Sequence, residues 1–480
     1  LKAERFSLIL RDLRVSSRAG SLGWVMVITR AGLIGSLAIL VAMAPGHSSH
    51  AASQGFSAPV QLSQHGYANS PMVAIDGTGT ALAVWADEGA YYSVHAPGTA
   101  WTAPQAVFIQ GGSGLTLQTD ASGAATIASH ETGYGIYTID RKPGSAWSAP
   151  ATVVSGPDIV APNRTGAPGM IFAGNAAGAQ VIVWQQDNAG VAIKAVRRQP
   201  GGAWGVPETV ALPPAGLSIA LADATIGPQG DVLVAWETFT VSCGIHSCGE
   251  GNFTVHGARE PSGSVTWSDS GPLTPGIQTN GYVVRALLDA AGQAALLLQA
   301  GQFPSSLQMV RQHAAGARWT APVAIFTDMS GGYPTLAGAA VSGKTRASFA
   351  SIDYGSPLRI LAADGVLATG IWSAPADLSA SDGSGPNELL SFGASGTGGL
   401  AVTWVDADDT VRVALRKSGY GAMPAAKNVA ATDGCQMTVI IAPCRSPGVT
   451  AINAAGEAAT LFLEANTTAT NFTLYASTTN

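Results

Sequence analysis

Short apolar runs recur along this 480-residue chain, and seven of them are followed by carboxylates. These are Asp87 with Glu88, Glu131 beside His130, Asp187, Glu237, Asp353, Asp406 with Asp408 and Asp409, and Glu464. His65, Tyr67, Arg164, Tyr282 and Tyr333 stand in the stretches between runs. Carboxylates and phenols converging on one mouth would suit a sugar, a cationic group or Ca2+. No other cofactor and no metal ligand set is expected. Glycoside hydrolysis needs two carboxylates at a set separation, and residue types alone give no distance. The same pattern also fits a plainer reading, in which strand ends are polar because they meet water.

The four cysteines fall in two close pairs, Cys243 with Cys248 and Cys435 with Cys444. An even count at short spacing points to local disulfides in an oxidising compartment. His246 lies between the first pair, but no fourth ligand for zinc is evident. The sequence holds no Gly-x-Ser-x-Gly elbow, His-Glu-x-x-His or phosphate loop.

The elements that position these residues come from a repeat. An apolar strand reaches a turn ending in Gly79, Gly123, Gly178, Gly230, Gly292, Gly343, Gly398 or Gly456. Six residues after each stands Trp85, Ser129, Trp184, Trp236, Leu298, Phe349, Trp404 or Phe462. A period of 44 to 62 residues built of short strands predicts a β-propeller. A second motif, Gly-x-x-Trp-x-x-Pro, interleaves with the first around Trp101, Trp147, Trp204 and Trp319, with looser copies at Trp267 and Trp372 and a worn one at Met423-Pro424. The missing eighth copy is Phe56-Ser57-Ala58-Pro59.

Each unit therefore reads as strand A, tight turn, strand B, loop, strand C, tight turn, strand D. The last unit ends after strand C, so residues 56–63 supply its strand D, pairing with Phe472–Ala476. The expectation is an all-β, eight-bladed β-propeller closed by its N-terminal strand. Seven blades is the alternative if the weak unit 335–368 is a decorated loop. The A–B and C–D turns share one face of such a disc. The B–C and D–A connections, including 237–252, 153–169 and 430–448, share the other. Binding is expected on that long-connection face, and Trp85, Trp184, Trp236 and Trp404 should pack between blades.

The Gly-x-x-Trp hairpin resembles that of the Asp-box propellers, the group that includes sialidases, whose hairpin reads Ser-x-Asp-x-Gly-x-x-Trp. The resemblance covers about 56–480. The Asp position holds Ala96, Lys142, Gln199, Pro261 and Ala314, and no Arg-Ile-Pro segment is present. Arg164, Arg285 and Arg445 stand near the long-connection face outside any matching motif, so the sialidase chemistry does not carry over.

Residues 31–44 form an apolar stretch after Arg30, and Ser49-His50-Ala51 offers small residues for a signal peptidase. Residues 1–51 are expected to be an over-called start plus a secretory signal, with Met26 the working start, cleavage after Ala51 and the propeller over 52–480. An uncleaved anchor is the alternative. Beyond residue 51 the chain has 18 basic and 28 acidic residues and no basic stripe, which disfavours nucleic acid. The expectation is a secreted bacterial monomer with no membrane contact after cleavage. It would bind extracellular glycan or protein without catalysis, the alternative being a sialidase-like or other polysaccharide-active enzyme.

Overall fold

A computed structural model describes residues 55–64, 68–109, 113–131, 134–156, 168–186, 191–243, 248–264, 266–275, 281–300, 306–327, 334–354, 358–379, 386–406, 410–430, 445–465 and 472–479. The signal and start expected within 1–51, and its cleavage point, lie outside them. The described residues form eight small antiparallel sheets and no helix.

Each sheet is one repeat. Blade 1 runs Asn69–Ile75, Ala81–Ala86, Ala90–His95 and Gln105–Val107, its strands A to D. Strand A lies innermost, and the A strands of successive blades touch in an unbroken cycle from blade 1 through blade 8 and back. The fold is an eight-bladed β-propeller. The weak unit is a genuine blade 6, with strands Pro334–Val341, Arg346–Asp353 and Arg359–Val366. Its strand D is split into Ile371–Trp372 and Ala376–Asp377, both paired to strand C.

The A–B turn explains the spacing of the first motif. Asp76 Oδ1 accepts the amides of Thr78 at 2.8 Å and Thr80 at 2.9 Å, and Gly79 takes φ 87°. That left-handed conformation costs glycine little. Asp120, Asn175, Asp289 and Asn453 repeat the arrangement.

The second motif explains how the blades adhere. Trp147 packs in the seam between blades 1 and 2, Trp204 in seam 2/3, Trp267 in 3/4, Trp319 in 4/5 and Trp372 in 5/6. Met423 takes the place in seam 6/7, Phe56 in 7/8 and Trp101 in 8/1. Trp85, Trp184, Trp236 and Trp404 also bury in seams, as expected. A ring of this size buries roughly 150–250 Å2 of its own surface.

Closure is made by the N-terminal strand. Val60 pairs with Ala476 and Gln61 with Tyr475, and Phe56 bridges Thr479. Ser57 N donates to Thr478 O at 2.8 Å and Leu62 N to Leu474 O at 2.8 Å. Side-chain oxygens add three more bonds, Thr478 N to Ser57 Oγ, Leu474 N to Ser63 Oγ and Ser477 Oγ to Ser57 O. Closure thus gives blade 8 a fourth strand and covers the outer edge of Phe472–Thr478.

Two boundaries differ from expectation. Strand A of blade 8 is Arg445–Ile452, so it begins inside the stretch 430–448 read as a connection. Residues 237–243 and 248–252 are strand, not irregular loop. Strands Val232–Cys243 and Cys248–Glu260 pair from Val232↔Glu260 out to Cys243↔Cys248. Glycine and serine in 242–249 mask this pairing in the sequence.

Candidate functional site

The carboxylates that follow strand B come to different environments. Glu237 is buried, and its Oε1 accepts the amide of Tyr282 in strand A of the next blade. The equivalent Gln185 accepts Leu221 N at 3.4 Å, and Gln299 accepts Leu336 N at 2.6 Å. Seven residues after the turn glycine, these three side chains latch one blade to its neighbour. Tyr282 is buried beside the latch and donates its hydroxyl to Pro275 O at 3.0 Å. Burial raises its phenol pKa, the Thr274 hydrogen bond lowers it, and the Glu237 charge raises it further.

Asp353 and Asp406 are also buried. Asp353 faces Arg359 across the B–C hairpin and accepts its Nε at 2.9 Å. Asp406 accepts Trp404 Nε1 at 2.8 Å and pairs with Arg412. Asp87 is buried in the tight B–C turn of blade 1, where its amide donates to Gly89 O at 2.7 Å. Glu88 is exposed at φ 56°, and Glu131 is half-buried. Asp187, Tyr67, Tyr333, Cys435 and Cys444 lie outside the described residues. Glu237, Asp353 and Asp406 are thus drawn into separate internal contacts. Glu88 and Glu131 offer carboxylates to solvent on the long-connection face.

That face also carries apolar groups that sequence reasoning missed. Phe108 is 77% exposed after strand D of blade 1, and Tyr134 is 64% exposed in the B–C turn of blade 2. Leu212 follows strand D of blade 3, and Val241 lies on the blade 4 hairpin; both are exposed. Four consecutive blades each present one such side chain on this face. The Tyr134 backbone is bonded on both sides: Tyr134 N donates to Glu131 O at 3.0 Å, and Gly156 N donates to Tyr134 O at 3.2 Å. An aromatic ring flanked by Gly133 and Gly135 in a connection was the available signal.

Blade 4 adds an arm. Strand A stops pairing at Ser218↔Phe239, and strand D reaches only His256↔Pro272. Residues 240–243 and 248–251 continue past both as a two-stranded ribbon. Phe239 and Phe253 stack at its base with centroids 5.4 Å apart, both buried in seam 4/5. Thr240 Oγ1 donates to Gly251 O at 3.0 Å. The register sets Cys243 directly opposite Cys248 at the end of the ribbon.

Chemically, this face combines exposed aromatic and aliphatic groups with hydrogen-bond acceptors. Such groups hold the apolar face and the hydroxyls of a polar ligand together. Among the described residues no group of His, Cys, Asp and Glu has metal-site geometry.

No protein-family model matches the chain, and no curated protein matches it. Solved structures resemble it in fold. A lectin from Burkholderia pseudomallei is 14% identical, with 79% of this chain and 100% of the lectin covered at TM-score 0.45. An ulvan lyase, a polysaccharide lyase, is 12% identical over 76% of this chain and 94% of its own, at TM-score 0.46. A leech intramolecular trans-sialidase is 7% identical over 88% and 92%, at TM-score 0.38. No activity passes from these proteins to this chain on such likeness.

Proposed function

We propose that this chain is a secreted, non-enzymatic binding propeller that holds an extracellular glycan on its long-connection face. The observation that carries this reading is the exposed Tyr134 ring, whose backbone amide donates to the carbonyl of the acidic Glu131 on the same hairpin. A sugar stacks its C–H face on such a ring and donates hydroxyls to the acceptor. Phe108 and Glu88 in blade 1 extend the same chemistry. Engagement of Asp353 by Arg359 and of Asp406 by Arg412 supports binding over hydrolysis, because those carboxylates already have cationic partners. Kinship with the Asp-box propellers, export by the N-terminal segment with cleavage after Ala51, and a monomeric state belong to the same reading.

The test is a glycan array probed with the protein and with Tyr134→Ala, Phe108→Ala and Lys142→Ala variants. Tyr134→Ala and Phe108→Ala should weaken any glycan signal at least fivefold, and Lys142→Ala, on the tight-turn face, should leave it unchanged. A glycan signal lost only in Lys142→Ala would place binding on the wrong face. Reducing ends released from an array-positive polysaccharide would overturn the non-enzymatic part.

A further inference from the structure

We infer that the seam between blades 8 and 1 holds a second binding site, on the tight-turn face, for a guanidinium group. The argument starts from the other seams. Among the described residues an arginine from strand C crosses six of the eight on this face. Arg141 lies over Tyr92 in seam 1/2, and Arg198 pairs with Asp140 in 2/3. Arg197 pairs with Glu260 in 3/4, and Arg259 donates to Gly292 O in 4/5. Arg311 donates to Leu367 O in 5/6, and Arg416 pairs with Asp364 in 6/7.

In seam 8/1 the strand C residue is His95, shorter than an arginine. Its Nε2 meets Thr478 Oγ1 across the seam at 3.4 Å. A cavity of about 490 Å3 opens there, lined by Ile75, Gly79, His95, Thr99, Glu457 and Thr478 among others. Its volume is in the range of small-molecule sites.

The charge left in this cavity is negative. Glu457 Oε2 accepts Asn453 Nδ2 at 2.7 Å, and no cation pairs with this carboxylate among the described residues. The carboxylate is wedged against the Gly79 backbone so closely that a Cβ there would collide with it. Asn453 is itself pinned, donating to Asp76 O at 3.0 Å across the closure. Burial lowers the His95 imidazole below its usual pKa, against a backbone hydrogen bond that raises it, which disfavours a cation beside Glu457. A fixed carboxylate, hydroxyls at the rim and an empty arginine position together match a planar guanidinium.

Calorimetric titration of the full chain tests this with two probes, agmatine and the capped tripeptide Ac-Ala-Arg-Ala-NH2. Agmatine should give a saturable 1:1 heat that weakens as NaCl is raised, and neutral pentylurea should give none. Glu457→Gln should weaken agmatine at least tenfold with unchanged thermal melting, since Gln keeps the acceptor for Asn453. His95→Arg should supply the missing arginine in place and abolish agmatine binding. Binding of agmatine alone marks a small free guanidine as the ligand, and binding of both probes marks an arginine side chain of a partner; both support the site. Absence of saturable heat with both probes, equal affinity in Glu457→Gln, or full binding in folded His95→Arg overturns it.

Discussion

Phe56 is the residue on which ring closure can be measured. It stands where the other blades place a hairpin aromatic, but it arrives from the opposite end of the chain and is 1% exposed between blades 7 and 8. Phe56→Ala removes a buried aromatic and leaves a cavity, a loss of about 3–5 kcal/mol. What remains to hold residues 56–63 is the short Val60–Gln61 pairing, buried Leu62, and the five hydrogen bonds from Ser57, Leu62, Thr478, Leu474 and Ser477. Such bonds contribute about 0.5–1.5 kcal/mol each. At about 1.4 kcal/mol per tenfold, the detached segment should become roughly 100- to 3,000-fold more populated. Limited proteolysis between residues 57 and 64 reads that population when reclosing is fast. The control is Trp147→Ala, which empties the corresponding place in seam 1/2 without freeing a chain end. It should lower overall stability by a similar amount and leave cleavage at 57–64 much less affected. Phe56→Trp should restore protection. If Phe56→Ala accelerates cleavage less than tenfold, or Trp147→Ala accelerates it equally, the N-terminal strand is not what Phe56 holds.

Asp364 and Arg416 form a bidentate pair at 2.6 and 2.8 Å across seam 6/7. Burial alone would raise the Asp364 carboxyl, but hydrogen bonds from Arg416 and Ser348 outweigh it and hold the group below its usual range. A lowered folded pKa stabilises above the unfolded value of about 4, and that stabilisation disappears as pH falls through the folded value. Asp364→Asn should therefore cost about 3–5 kcal/mol at pH 7 and flatten the acid limb of a urea-melt series; an unchanged limb refutes this. Met423→Trp should fill part of the cavity of about 220 Å3 beside that pair and raise stability by about 1 kcal/mol in urea melts; a loss would mean the space is too shallow. Glu237→Gln should keep the latch and change stability by under about 1 kcal/mol, whereas Glu237→Ala should cost about 1–3 kcal/mol by orphaning the Tyr282 amide; equal effects refute the latch. Non-reducing peptide mapping should recover Cys243–Cys248 and Cys435–Cys444 as disulfides, and zinc in the purified protein would overturn that pairing.

Much of the fold is legible because two motifs each state a physical requirement. An Asp or Asn that caps two amides, followed by a glycine at positive φ, marks the A–B turn wherever it occurs. An aromatic after Gly-x-x marks a side chain that must be buried against another blade. Phe56 was readable as the eighth such residue for the same reason. Blade 6 was harder because Gly343 follows Ala340 rather than a capping side chain, and it is absent from the left-handed glycines. The hairpin to Cys243 and Cys248 was hidden because cross-strand pairing, not apolar alternation, sets its register. The candidate site was less legible. Sequence marks Asp353, Asp406 and Glu237 as strand-end carboxylates. Their fate depends on Arg359, Arg412 and the Tyr282 amide, which only the B–C hairpins and the seams bring near. Tyr134 and Phe108 were missed because single apolar residues in connections carry no period.

Closure also sets a timetable. The strand that completes blade 8 is made first, and its partner Phe472–Thr478 is made last. At about 5–20 residues per second, roughly twenty to eighty seconds separate the two. Through that interval residues 56–63 have no sheet to join, while the blades between can form in order behind them. When Phe472–Thr478 appears, its outer edge is an unpaired strand until the waiting segment docks. A second nascent chain could dock there instead, giving two molecules that trade first strands. Dilution during synthesis, more than any change within the blades, should therefore govern the yield of closed monomer.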